Sequence, residues 1–334
     1  MSLRSLVATA ILLLVSGCAT VPPPAPPVPE PEVVAEPEPE IPIIRPTPEP
    51  PPRPEIEIEP PTVAIVMTSR SPAYEDVAVA LADHYETVSI YDLSDRSQPP
   101  VRAFRLINED TNDVVVAIGL RAANSSVALS DVPVVFSQVF NYQDHSLLSE
   151  RSRGVSATAP MAAQLAAWKE VQPELSSVGF VIGPGHDELI EDAELAAERH
   201  GVKLTINVAG SDQETLYYFK RMVRDIDGLW LLPDNRVLSG RMLREMIDEA
   251  NRHGVSVLAP NQNLLSIGAA ISVSTVPGDI AGRIHEIVER INKGQLDAIA
   301  PMTALTEIRV EVNEALLRRQ TVARGDSETG TGAL

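Results

Sequence analysis

Thr62-Val63-Ala64-Ile65-Val66-Met67 is an unbroken apolar run rich in β-branched residues. Such a run reads as a strand buried on both faces, the signature of a parallel sheet covered by helices on each side. Asp113 to Ile118 repeats the pattern, and Gly119 ends it. Thr87 to Tyr91 and Pro133 to Phe136 read as two more strands. Pro72 to His84 and Arg121 to Leu129 carry helical spacing between them. After a break near Gly154 the alternation begins again. Helices are expected over Ala159 to Val171, Asp187 to His200, Leu238 to His253 and Asp279 to Asn292. Strands are expected over Ser177 to Ile182, Val202 to Asn207, Gly228 to Leu232, Val255 to Ala259, Ala269 to Val273 and Leu305 to Val310. Ser211 and Glu214 have the spacing of a capping box opening another helix.

Alternating strands and helices over this length exceed one core. The pattern predicts an α/β protein of two Rossmann-like lobes with parallel sheets. Ligands of such sheets bind beyond the carboxyl ends of the strands, so two facing lobes make a clamp.

The upstream chain is different. Arg4, the apolar Leu6 to Val15 and the small residues before Cys18 have the layout of a signal peptide. Val15-Ser16-Gly17-Cys18 resembles the lipobox of bacterial lipoproteins, which implies lipidation of Cys18, the chain's single cysteine. Between residues 22 and 61 lie 18 of the 29 prolines, with nine Glu against two Arg. Proline removes backbone donors and like charges repel, so this stretch is expected to be a disordered or polyproline II tether. Fully extended, it would reach roughly 120 Å at about 3.1 Å per residue. The expected division is therefore residues 1–17 as signal peptide and 18–61 as lipidated cysteine and linker. Residues 62–153 form a first lobe completed by 275–318, residues 154–274 a second lobe, and residues 319–334 a disordered tail.

The net charge of −19 argues against a nucleic-acid partner. With one cysteine, no disulfide framework or cysteine metal site is expected. The six histidines are scattered, and no metalloprotease or nucleophile-elbow motif occurs. No catalytic residue, metal or cofactor is expected. Trp168 and Trp230 read as core residues of a helix and a strand.

The ordered set of motifs resembles ABC-transporter substrate-binding proteins of the type I periplasmic-binding fold, whose better-known members take up aromatic amino acids. In the first lobe the resemblance is carried by Asp113 to Ala123, Val132 to Phe136 and Arg153 to Ser156. In the second it is carried by Ser177 to Ile182, Leu231 to Asn235 with Val237 to Ser239, Val257 to Pro260, and Gly278 to Gly282. It spans about residues 62–318. The chain departs from it after the fourth strand, where Phe136 to Tyr142 lacks the usual Asp-Pro pair. It departs again at Ser274-Thr275-Val276-Pro277, where tyrosines are usual. The resemblance implies a non-enzymatic protein that clamps a small molecule, an amino acid or related compound, and delivers it to an ABC permease. A second reading is an outer-membrane lipoprotein that uses the same fold as an interaction module for cell-envelope machinery. The resemblance to lipoproteins of double-membrane bacteria implies that Ala19 after the cysteine favours the outer membrane, facing the periplasm, and the length of the tether agrees.

Loops at strand ends are the expected ligand contacts in this fold. Ser69 and Arg70 follow the first strand, with a solvated turn as the alternative. Gly119 permits close backbone approach or is a plain turn, and Arg121 adjoins it. Ser137 and Gln138 are polar directly after a buried strand, which is costly without partners. Gly183 opens the loop containing His186, a residue expected at the surface. Asp234 and Asn235 follow a strand, where Asp234 would pair with a ligand ammonium or cap the next helix. Asn261 and Gln262 are weaker candidates.

Overall fold

The computed structural model describes residues 59–97, 99–234 and 238–320. The expectations for Cys18, the signal peptide, most of the linker, Asn235 and the tail beyond residue 320 lie outside the described residues.

Within residues 62–320 two six-stranded sheets are built. The first comprises β1 (Val63–Met67), β2 (Val88–Asp92), β3 (Val114–Ile118), β4 (Val134–Ser137), β5 (Ser152–Val155) and β11 (Met302–Thr303), in the order β11-β5-β4-β3-β1-β2. All its pairings are parallel. The second comprises β6 (Ser177–Ile182), β7 (Lys203–Val208), β8 (Gly228–Trp230), β9 (Ser256–Ala259), β10 (Ile271–Thr275) and β12 (Ile308–Val312), in the order β12-β10-β9-β8-β6-β7. Only β12 runs antiparallel in it.

The opening run explains itself in three dimensions. Side chains alternate across a strand. Val63, Ile65 and Met67 therefore enter one core with α1 (Pro72–Ala82) and α8 (Pro277–Asn292). Ala64 and Val66 enter another with α2 (Pro100–Glu109) and α3 (Leu120–Leu129). β3 divides the same way, so all five of its residues are buried. Each fully buried Val or Ile contributes roughly 1.5–3 kcal/mol of transfer free energy. In the second lobe α4 (Met161–Val171) and α5 (Asp187–Arg199) cover one face, and α6 (Asp212–Met222) and α7 (Gly240–Arg252) the other. Trp168 and Trp230 are buried there as expected, each indole N–H donating to a glutamine, Gln172 at 2.8 Å and Gln164 at 2.9 Å.

Three elements depart from the sequence reading. α2 has no counterpart in it; Pro100 starts this helix, and Ala103, Phe104 and Ile107 bury its inner face. β5 was hidden by a charged residue. Arg153 is buried, and its guanidinium donates to the carbonyls of Ile299 at 3.0 Å, Leu296 at 2.8 Å and Ser149 at 2.9 Å. Finally, residues 275–318 do not all complete the first lobe. α8 and β11 do, but β12 pairs with β10 of the second sheet, and Ile308 packs on that lobe's core. The chain thus crosses between sheets at 156–160, at Val276 and at 304–307.

At the capping box Ser211 Oγ accepts from the Glu214 N–H at 3.3 Å, while Glu214 reaches back to Gly210 N–H at 2.7 Å instead of to Ser211.

Candidate ligand-binding cleft

The strands of both sheets end at the region of the crossovers. A cavity of about 460 Å³ is lined there by the amino end of α1, by Gln138 after β4, by Pro233 after β8, by Asn261 to Asn263 after β9, and by Ser274 and Thr275 of β10. Gln138, Ala157 and Pro233 also line an adjoining cavity of about 200 Å³, together with Tyr74 and Phe140. A further cavity of about 310 Å³ lies along the 156–160 crossover, with Phe140, Tyr142, His186, Glu188 and Asp192 in its wall. Burial, and then the Glu188 charge, push the Tyr142 phenol above its ordinary pKa.

Gln138 is the expected residue that most plainly faces the larger cavity. Its φ of +59° is in the left-handed region, uncommon for a side chain of this kind. Backbone strain of this sort is held by its surroundings: Ser137 before it is fully buried, and its carbonyl accepts from the Gly119 N–H at 2.9 Å. The Ser137 hydroxyl is buried without a hydrogen-bond partner among the described residues and does not line the cavity.

Gly119 serves packing. Its φ is +87°, and a Cβ there would stand 2.8 Å from Thr68 Oγ1 and from the Tyr74 ring. Thr68 Oγ1 in turn accepts from the Ala122 N–H at 3.0 Å, capping α3. Arg121 is exposed and lines none of these cavities. Arg70 is also exposed and pairs with Asp92 at 3.4 Å and Glu75 at 3.9 Å; Ser69 beside it is half-buried.

Asp234 is fully buried. One carboxylate oxygen accepts from the Gly183 N–H at 2.9 Å, the other from Asn141 Nδ2 at 3.3 Å. His186 Nε2 stands 3.1 Å from Asn141 Oδ1 and 3.7 Å from Asp234, and its ring lies tilted against Phe140 with the centroids 4.6 Å apart. Gly183, His186 and Asp234 belong to the second lobe, and Phe140 and Asn141 to the first. Sequence reasoning placed His186 at the surface and passed over Asn141; their pairing spans 45 residues and leaves no local signal. Asp76 on α1 and Arg309 on β12, which also line the larger cavity, were missed for the same reason.

Among the described residues no group of three or more His, Cys, Asp or Glu could hold a metal, and no helix is long and apolar enough to cross a membrane.

Two α/β lobes joined by three crossovers beside polar cavities make this a two-lobed binding protein. The sequence model of the ABC transporter substrate-binding protein family matches residues 74–327, and the chain belongs to that family. No curated protein matches it. Among solved structures it is similar to a conserved domain protein from Vibrio cholerae, with 21% identity, a TM-score of 0.54, and 79% of this chain and 95% of that one covered. It is similar to an ABC domain in complex with L-Trp from Streptococcus pneumonia, with 17% identity, a TM-score of 0.55 and the same coverage. A ligand-free, open substrate-binding protein with adhesive properties from Clostridium difficile gives 16% identity, a TM-score of 0.60, and 78% and 95% coverage. These likenesses show the fold, and the family assigns a solute-binding role with a permease as partner.

Proposed function

We propose that this protein is a lipid-anchored solute-binding protein, fixed through Cys18, that closes its two lobes on an amino acid or related small molecule and presents it to an ABC permease. The observation that carries this reading is the cavity of about 460 Å³ at the strand ends, walled by elements of both lobes and by crossover residues Ala157 to Ala159. Volume and position fit a small solute. Ligand contacts on both lobes favour the closed form, because a ligand shifts the equilibrium by its differential affinity for the two states. Gln138 contributes from the first lobe and Asn261 from the second.

A thermal-shift screen of amino acids and related solutes tests the reading. A ligand present at a hundred times its Kd stabilises the folded state by about 2.7 kcal/mol, a shift of several degrees. No shift across a broad screen contradicts the proposal.

One observation favours a second reading, an outer-membrane module that engages cell-envelope machinery: residues 22–61 carry 18 prolines and nine Glu, the composition of a spacer longer than solute delivery needs. Crosslinking in intact cells separates the two. A permease subunit as partner supports the first, and a wall synthase or assembly factor the second.

A further inference from the structure

The chemistry of the larger cavity narrows the solute. Two of its charged side chains, Asp76 from the first lobe and Arg309 from the second, make no ion pair within the described residues. The carboxamides of Gln138, Asn261 and Asn263 and the hydroxyls of Ser274 and Thr275 likewise have no hydrogen-bond partner among the described residues. Gln164 in the same wall is different, since its amide is committed at both ends: Nε2 donates to Ala159 O at 2.7 Å, and Oε1 accepts from Trp230 Nε1 at 2.9 Å. No aromatic ring lines this cavity among the described residues; its apolar wall is proline, alanine and Val273. Tyr74 and Phe140 lie in the smaller adjoining space.

We infer that the cleft selects a zwitterionic solute with a hydrogen-bonding body, an amino acid or short peptide carrying an amide or hydroxyl, over an aromatic amino acid. The inference rests on the reading of the cleft as the solute site. Asp76 meets the ammonium and Arg309 the carboxylate, one charge from each lobe, so a zwitterion joins the lobes where a neutral solute does not. The free amides and hydroxyls set the rest of the preference. An aromatic ring displaces their hydration without replacing its hydrogen bonds, and a site built to hydrogen-bond penalises a ligand that lacks the matching groups. The Streptococcus relative is described in complex with L-Trp, and at 17% identity it shares the fold without fixing the lining.

Isothermal titration of the full chain with L-glutamine, glycyl-L-glutamine and L-tryptophan tests this. The expected result is binding of at least one glutamine probe roughly tenfold or more tighter than tryptophan. Asp76→Asn and Arg309→Gln should each weaken that binding roughly tenfold. Both side chains are exposed, so the variants keep the fold, which an unchanged melting temperature verifies. Tighter tryptophan binding overturns the inference, as does affinity unmoved by either substitution; if that binding is lost in Gln138→Gly, the cleft reading stands without it. Absence of binding by every probe and by every solute of the broader screen overturns both.

Discussion

Asn141 donates to Asp234 at 3.3 Å across the two lobes, and both side chains are nearly or fully inaccessible. A buried carboxylate is tolerated only with partners. Here the Gly183 N–H, the Asn141 amide and the neighbouring His186 surround it. The residue proposed from sequence as a contact for a ligand ammonium thus holds the lobes together in this conformation.

Asp234→Ala should therefore destabilise the protein by about 3 kcal/mol in urea denaturation, since it strands the donors that face the carboxylate. Asp234→Asn should cost less. Equal stability of the alanine variant and the parent would remove the contact's structural role.

Gly119→Ala tests packing beneath the cleft. The added methyl meets Thr68 Oγ1 and the Tyr74 ring at 2.8 Å, and the backbone sits at φ +87°. A loss of about 2–3 kcal/mol is expected. Gly201→Ala, also at positive φ (+63°) but with nothing within 4 Å, should cost about 1 kcal/mol, the backbone part alone.

Gln138→Gly separates binding from stability. Glycine relieves the left-handed backbone at φ +59° while raising the entropy of the unfolded chain. The two effects oppose each other, so stability should change by less than about 1 kcal/mol while solute affinity falls. A variant that binds as well as the parent would exclude Gln138 from the site.

Acid should weaken the third crossover. Burial raises the Asp279 pKa, but the N–H groups of Glu307 and Thr306, the Thr306 hydroxyl and the Arg283 charge outweigh it, leaving the carboxyl below its ordinary 3.8. Thr306 N–H donates at 2.7 Å and Glu307 N–H at 2.9 Å. A depressed carboxyl pKa gives stability that is present above the ordinary value and lost as pH falls through the folded one. Stability should thus fall below about pH 4, and by less in Asp279→Asn, as followed by denaturation at a series of pH values.

His285 offers a second titration. Burial, and then the positive charge of His84 stacked on it at 4.6 Å, lower its pKa below 6.5 despite Glu289 and Glu286. Its Nδ1 also sits 3.2 Å from the Tyr85 hydroxyl. In an NMR titration His84→Gln should raise the His285 pKa; an unchanged value would discount the pair's repulsion.

The lobes were legible because β1 and β3 are buried on both faces, which leaves an apolar run that only a covered parallel sheet uses. α2 escaped notice because its inner face rests on Ala103, Phe104 and Ile107 between polar residues, and β5 because Arg153 finds two of its carbonyl partners, Leu296 and Ile299, about 140 residues away. The same logic divides the site. Gln138 was visible as a polar residue directly after a buried strand. Asp76, Asn141 and Arg309 acquire their meaning only when separate elements meet, and no local pattern marks that.

The central claim is that the cleft between the lobes holds a small solute. Calorimetric titration of the best solute from the screen into the parent protein and into a Gln138→Gly, Asn261→Ala double variant tests it most directly. The expected result is saturable one-to-one binding that the double substitution weakens about a hundredfold or more while the melting temperature holds. Equal binding by the two proteins, or none by the parent, would contradict it.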